Sequence, residues 1–288
     1  MAGKRRRGCC LGRLLGLMLF ALALLTGYMA VQSRIVCLET AQVYLKDLPE
    51  AFDGVTVLLL TDLHVGAFAS GDETAGLMDE LQNLYPDLLL LGGDFSGADP
   101  FSSANQEDTL AQRDSFFRQL SWFYAPLGKF AVRGNHDRAG GLSQALSEGG
   151  VSLLVNQVAR LEKEGQYLYL AGLDDWNTGN QDYASVAATV FPQDAVLVLS
   201  HNPDSFPAAL RQGDWLDLML CGHTHGGQIN LPLLSRFVTP SIYGDAYRSG
   251  WVKEKGALLL VSNGVGCTWL PLRFNAPAQV HLLTLRRA

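Results

Sequence analysis

An α/β fold is predicted by three features of this 288-residue chain. Short apolar runs end on Gly, Asn or Asp, segments of helical period lie between them, and a metal-type side chain follows several of the runs. Runs of four to six apolar residues that close on turn residues read as buried strands. In open α/β sheets, sites form at the carboxyl ends of strands, so the order of these endings bears directly on function.

The first element is of another kind. Residues 14–31 carry no charge, and the uncharged stretch between Arg13 and Arg34 is 20 residues long. That is about the length of a helix that crosses a bilayer. Lys4, Arg5, Arg6, Arg7 and Arg13 precede it, and positive flanks favour the cytoplasmic side. The expected organisation is a basic tail over 1–13, a signal anchor over 14–33 in the cell membrane, and an extracytoplasmic domain over 34–288. A cleaved signal peptide is the alternative. Its apolar region is ordinarily shorter, and no convincing small-x-small site precedes Gln32, which favours an uncleaved anchor. The cluster Arg5-Arg6-Arg7 also fits a twin-arginine address, as arginines before any anchor do.

The remaining elements follow in order. Residues 55–60 lead into Asp62-Leu63-His64. Residues 75–85 place Leu77, Met78, Leu81 and Leu84 near helical spacing and stop before Pro86. Residues 88–91 lead into Gly93-Asp94, and the Ser-, Gly-, Asp- and Pro-rich segment 96–104 then predicts a loop on the rim of any site built on Asp94. A second helical pattern spans 106–124, with Leu110, Phe116, Phe117, Leu120 and Phe123. The interval from Asp94 to Asn135 is too short for a large inserted cap, which implies an open cleft. Residues 130–132 lead into Gly134-Asn135-His136-Asp137, and 167–171 precede the acidic turn Asp174-Asp175. Residues 196–199 lead into Ser200-His201-Asn202-Pro203, and 216–221 into Gly222-His223-Thr224-His225-Gly226-Gly227.

A lone Asp-x-His or Gly-Asp is an ordinary turn. The joint order carries the argument, because five of the six histidines fall in these endings; the sixth, His281, sits in the alternating run 279–285 as a strand histidine. Imidazole, carboxylate and one amide with no thiolate suit Mn, Fe, Zn or Mg-like ions and exclude a Cys-rich structural zinc site. About seven donors are too many for one catalytic ion with an open position. Two divalent ions sharing a carboxylate use them all, activating a water and holding phosphoryl oxygens for in-line displacement.

The motif order Asp-x-His, Gly-Asp, Gly-Asn-His-Asp, His and Gly-His-x-His resembles that of the calcineurin-like metallophosphoesterases over about residues 48–286. The match looks closest to their membrane-associated bacterial branch, in which a Gly-His-Thr-His-Gly-Gly-Gln stretch precedes a tail like Val261-Ser262-Asn263-Gly264 to Leu272-Arg273-Phe274. The resemblance implies two stacked mixed β-sheets flanked by helices, with strands from 257–285 closing the second sheet. It also implies one ion on Asp62, His64, Asp94 and His225 and a second on Asp94, Asn135, His201 and His223, with Asp94 bridging. His136 would contact the phosphate and protonate the leaving oxygen, and Asp137 would orient its ring. Asp174 and Asp175 are not expected to be ligands, since both shells are full.

The branch includes phosphodiesterases and UDP-2,3-diacylglucosamine hydrolases. The expected activity is hydrolysis of phosphodiester or pyrophosphate bonds on a lipid-linked or envelope substrate, with Mn the first choice of metal. An extracytoplasmic domain counts against the diacylglucosamine role, whose substrates are made inside the cell. A broad phosphomonoesterase is the nearer alternative, and a non-catalytic metal-binding regulatory protein the more distant one. The intact motif set favours the enzyme. Trp176, Trp251, Trp269 and Phe274 are candidates to line an apolar approach to the metals, and only a short tether is expected between Val31 and a first strand near Val55.

Charge narrows the partners. Six of the 22 basic residues lie in the first 34, which hold no acid, so the remainder sets 16 basic against 28 acidic residues, a net of −12. A domain that acidic is poorly suited to nonspecific nucleic-acid binding. The five cysteines form no disulfide framework. Cys9 and Cys10 flank the anchor as acylation candidates, Cys221 reads as a small core residue, and only Cys37 and Cys267 are candidates for a bridge.

Overall fold

The computed structural model describes residues 3–97, 105–137, 140–231 and 239–288, with side-chain burial from residue 12 onward. Most of the rim loop expected over 96–104, and the side chains of Cys9 and Cys10, lie outside the described residues. Helix α1 (Gly3–Gln32) opens the chain. Its apolar part, Gly12–Gln32, is long enough at 1.5 Å per residue to span roughly 30 Å. Leu14, Leu17, Phe20 and Leu24 on it are each more than half exposed, as befits a helix that is apolar all round, whereas Met29 in its last turn is buried against the domain.

Beyond α1 the chain folds into two six-stranded mixed sheets. The first has the order β1 (Val36–Leu45), β12 (Ala278–Arg287), β2 (Thr56–Leu60), β3 (Leu88–Leu91), β4 (Lys129–Ala131), β5 (Ser152–Leu153). The second runs β10 (Gly250–Glu254), β11 (Ala257–Val261), β9 (Leu218–Cys221), β8 (Val196–Leu199), β7 (Gln166–Gly172), β6 (Gln157–Lys163). Strands β2 to β5 are mutually parallel, as are β7, β8, β9 and β11. The central strands are apolar on both faces because both faces are covered. Val57, Leu59, Leu88 and Leu90 meet Leu170, Leu197, Leu199 and Leu220 between the sheets. The alternate residues Leu58, Leu60, Leu89 and Leu91 face α2 (Gly71–Gln82), α3 (Gln106–Gln119) and α4 (Leu142–Glu148). On the far side, Val198, Met219 and Leu259 pack on Val186 of α5 (Tyr183–Ala187) and Phe206 of α6 (Ser205–Ala209). The result is a four-layer sandwich.

Helix starts follow local chemistry. The α2 helix begins four residues before the start expected at 75, at a capping box: the Ser70 hydroxyl accepts from Glu73 N, and the Glu73 carboxylate accepts from Ser70 N. Asn105 and Asp108 cap α3 in the same way.

Two expectations about the ends of the domain are corrected. Residues 257–285 do not close the second sheet alone: β11 enters it, but β12 inserts into the first sheet between β1 and β2. No tether leads to Val55 either. Strand β1 begins four residues after α1 ends and pairs in parallel with β12 along its whole length, from Val36 with Ala278 to Leu45 with Arg287. The domain is thus stitched to the base of α1 by a long backbone ladder. Cys37 and Cys267 are free thiols, half-buried and buried respectively.

His281 on β12 is 6% exposed and its Nε2 has no hydrogen-bond partner. Burial alone pushes its pKa down to about 4 from 6.5. The unfolded chain therefore binds the extra proton between those values, and stability falls as pH drops from about 6.5 to about 4. At about 1.4 kcal/mol per unit, the loss is on the order of 3 kcal/mol. We expect chemical denaturation across pH 7 to 4 to show His281→Leu losing less stability than the parent by about that amount. Parallel curves would remove His281 from the acid response.

Candidate metal centre

The ends of β2 and β3 in one sheet and β8 and β9 in the other converge on one side of the sandwich. There Asp62, His64 and His225 form one buried group and Asp94, His201 and His223 a second, with the offered atoms of each within 4.8 Å of one another. The two groups meet at Asp94. Its Oδ2 lies 3.3 Å from His201 Nε2, 3.7 Å from His64 Nε2 and 4.0 Å from His136 Nε2. Its Oδ1 accepts from the His136 amide at 2.8 Å.

Close backbone approach makes this possible. A Cβ on Gly134 would sit 2.2 Å from Asp94 Oδ1, and one on Gly222 would sit 2.2 Å from Asp62 Oδ2, so any other residue would displace these carboxylates. The Gly222 contact also joins the sheets, since Asp62 accepts from His223 N at 3.0 Å. Asp62, His64, Asp94, His223 and His225 all have φ between 47° and 70°. Left-handed backbone at a non-glycine residue costs about 1–3 kcal/mol and persists only where the surroundings over-determine it. Five such residues in one cluster mark a site whose geometry is held against its own preference.

The donor set fits divalent cations. His64 Nε2 and His225 Nε2 face each other at 3.2 Å, as do His223 Nδ1 and His201 Nε2. Opposed imidazole lone pairs repel unless a proton or a cation lies between them. The far side of the His201 ring is tied to backbone, its Nδ1 lying 2.9 Å from Gly92 O. An Nδ1–H donated to Gly92 leaves the His201 Nε2 lone pair pointing inward. Asn135 stands beside Gly134 and His136, both in contact with Asp94, and its Oδ1 is buried with no hydrogen-bond partner.

The charges are strongly perturbed. Burial pushes Asp62 up to about 6, His64 down to about 4, His223 down to about 3 and His225 well below its ordinary range. Burial would raise Asp94 as well, but the imidazoles of His201, His64 and His136 hold its carboxyl well below the usual carboxylate range. His201 goes the other way. Burial pulls it down, yet the carboxylates of Asp94 and Asp62 prevail and hold it up to about 10. A cation held between these groups would take the place of that proton, and its uptake would release protons.

Among the described residues no hydrogen bond joins Asp137 to the His136 ring. Its carboxylate is buried and accepts from three backbone amides, Asp94 N at 2.7 Å, Gly134 N at 2.8 Å and Phe95 N at 2.9 Å. It clamps the turn after β3 to the turn after β4, and the backbone donors claim both of its oxygens. His136 itself is the cluster's one half-exposed imidazole, with its ring 5.2 Å from that of His64.

Other residues join the site with weaker sequence signals. Arg133 donates to Asp174 through Nε at 2.5 Å and a second guanidinium nitrogen at 2.7 Å, tying the Asn135 turn to the segment after β7. Asn177 lies 3.4 Å from His223 Nε2. Arg273 is fully buried and donates to the carbonyls of Asn263, Gly264, Gly266 and Ala276, fixing the loop beside His225.

Similarity to known proteins agrees with this centre. The family model described as calcineurin-like phosphoesterase matches residues 55–227, more than half of the chain. The metallophosphoesterase YkuE of Bacillus subtilis (strain 168) is 31% identical over 258 residues, 86% of each chain. The phosphodiesterase YaeI of Escherichia coli (strain K12) is 30% identical over 239 residues, 80% of this chain and 81% of its own. A transmembrane protein with a metallophosphoesterase domain from Danio rerio is 25% identical over 262 residues, 86% of this chain and 56% of its own. The order of strand endings, their convergence into two histidine–carboxylate groups and these matches lead to one conclusion: the chain belongs to the calcineurin-like phosphoesterase family and is a metal-dependent phosphoester hydrolase.

Proposed function

We propose that this protein is a membrane-anchored phosphoesterase that hydrolyses phosphodiester or pyrophosphate bonds of a lipid-linked or envelope substrate, using two divalent ions, Mn first and Fe, Zn or Mg next. The observation that carries the reading is the pair of buried histidine–carboxylate groups meeting at Asp94. Asp62, His64, Asp94 and His225 would hold one ion and Asp94, Asn135, His201 and His223 the other. When bound, such ions supply Lewis-acid activation of water and neutralise charge on phosphoryl oxygens. Asp94 lies between the two groups, and its low pKa keeps it ionised throughout the working range. His136, half-exposed at the mouth of the cluster, is placed to donate a proton to the leaving oxygen. YaeI is named a phosphodiesterase, which supports the diester over the monoester class.

The test is a screen of metal-stripped, Mn-reconstituted protein against nucleotide diphosphate lipids, phospholipids, cyclic and linear diesters and monoesters. Diester or pyrophosphate turnover should dominate. Monoesters turned over far faster than the rest would overturn the substrate class, and stoichiometric ion binding without turnover would favour a regulatory protein.

Anchoring and topology rest on α1 and its flanks. Five basic residues precede its uncharged stretch, so the helix should insert with its N-terminus inside and the domain outside. A reporter fused after Ala288 should be active only outside the cytoplasm. Activity confined to the cytoplasm would reverse the topology.

A further inference from the structure

A pocket of about 490 Å³ opens beside the metal centre, between the end of α1, one face of α2 and the loop after β11. That volume lies within the roughly 300–1,000 Å³ range of small-molecule sites. Leu63, Phe68, Leu77, Val265 and Pro271 make much of its wall apolar, and the metal-group residue His64 stands in the same wall. None of Trp176, Trp251, Trp269 and Phe274 lines it. From this we propose that the pocket receives the long hydrocarbon tail of a membrane-borne phosphoester, delivering its phosphate to the metal centre. The proposal deepens the phosphoesterase reading and rests on it for the reaction, though not for tail binding.

Position is the first argument. Ser33 and Arg34, the residues that follow α1, line the pocket, so it opens where the apolar helix ends. A tail can pass there from bilayer to protein with little exposure to water. The loop forming the opposite wall is pinned to the same place. Arg273 N donates to Met29 O at 3.1 Å, and the Ser33 hydroxyl donates to Pro271 O at 2.8 Å. At the tip of that loop Trp269 is 79% exposed with Leu270 beside it, side chains suited to a membrane–water interface.

The second argument is Gly76. Glycine is the poorest helix former after proline, yet Gly76 sits inside α2 and lines the pocket. A Cβ there would meet nothing within 4 Å, so protein packing does not require glycine at that position. Because Gly76 is one of the lining residues, a bulky side chain there is the substitution that narrows the pocket. The mouth also carries the Arg34–Glu73 pair, 3.7 Å apart with both side chains more than half exposed. Exposed pairs of this kind are weak enough to part for an entering chain.

The experiment uses the full-length, Mn-loaded protein in nanodiscs with two probes that share a leaving group, hexadecyl 4-nitrophenyl phosphate and ethyl 4-nitrophenyl phosphate. Gly76→Phe should lower kcat/KM for the hexadecyl ester by about tenfold or more, the scale on which apolar pockets discriminate, and leave the ethyl ester nearly unchanged. Gly76→Ala should match the parent on both, which separates filling of the pocket from damage to the helix. Binding is read without turnover by photolabelling with hexadecyl phosphate that carries a diazirine at the tail end. The label should fall on segments 63–77 and 265–271 and be lost in Gly76→Phe. Label confined to α1, or equal hexadecyl turnover in Gly76→Phe and parent, would overturn the proposal. Correct labelling with neither ester hydrolysed would uphold the tail site and reject the phosphodiester reading.

Discussion

Replacing Asp94 by Asn should abolish activity to within a few thousandths of the parent or less and strip at least one metal ion. The carboxylate reaches both histidine clusters, with imidazole nitrogens of His201 and His64 at 3.3 and 3.7 Å from one oxygen. Its negative charge would offset that of two cations brought close together, and an amide of the same shape supplies none of it. Loss of one well-placed stabilising group alone costs about 10²–10³ in turnover, and loss of the ions that generate the nucleophile costs more. His136→Asn makes the informative contrast. His136 reaches Asp94 through its backbone amide, which the substitution keeps, so metal content by elemental analysis should stay near that of the parent while turnover falls by about 10²–10⁴. Loss of both ions in His136→Asn would make it a ligand, and full occupancy with normal turnover in Asp94→Asn would remove the bridge.

These contrasts were visible in the chain only in part. Residues 88–91 and 196–199 are strands with the very limits that apolar run length suggests, because parallel strands buried on both faces have little room for polar residues. The endings Asp62-x-His64 and His223-x-His225 were legible for the same reason: turns after buried strands leave their polar residues nowhere else to go. Strand β1 was not legible. Its Glu39, Thr40 and Gln42 interrupt the apolar pattern, and its pairing partner β12 lies more than 230 residues away. Nothing local encodes such a contact. The placement of β12 in the first sheet follows from the same long-range ladder. The role of Asp137 was hidden differently. An acid following a histidine resembles an orienting pair, whereas the competing partners are backbone amides, which sequence does not label.

Asp137 therefore separates two accounts of the Gly-Asn-His-Asp turn. Asp137 is 4% exposed, and burial together with the neighbouring Asp94 carboxylate pushes its pKa up to about 7. That cost is offset by accepting from Asp94 N, Phe95 N and Gly134 N. In Asp137→Asn the new NH2 would face a backbone N–H where an oxygen stood, leaving at least one buried donor unpaired at about 1–3 kcal/mol. The Asp94 backbone, already left-handed at φ 53°, would lose the clamp that holds it there. We expect Asp137→Asn to be less stable than the parent by about 2–3 kcal/mol in denaturant titrations, to bind the second ion more weakly, and to lose turnover as a consequence. A residue that merely oriented the His136 ring would behave otherwise, keeping both ions and parental stability while turnover dropped as in His136→Asn. Stability and metal content measured together on the two variants decide whether this acid works through a histidine or through the backbone beneath Asp94.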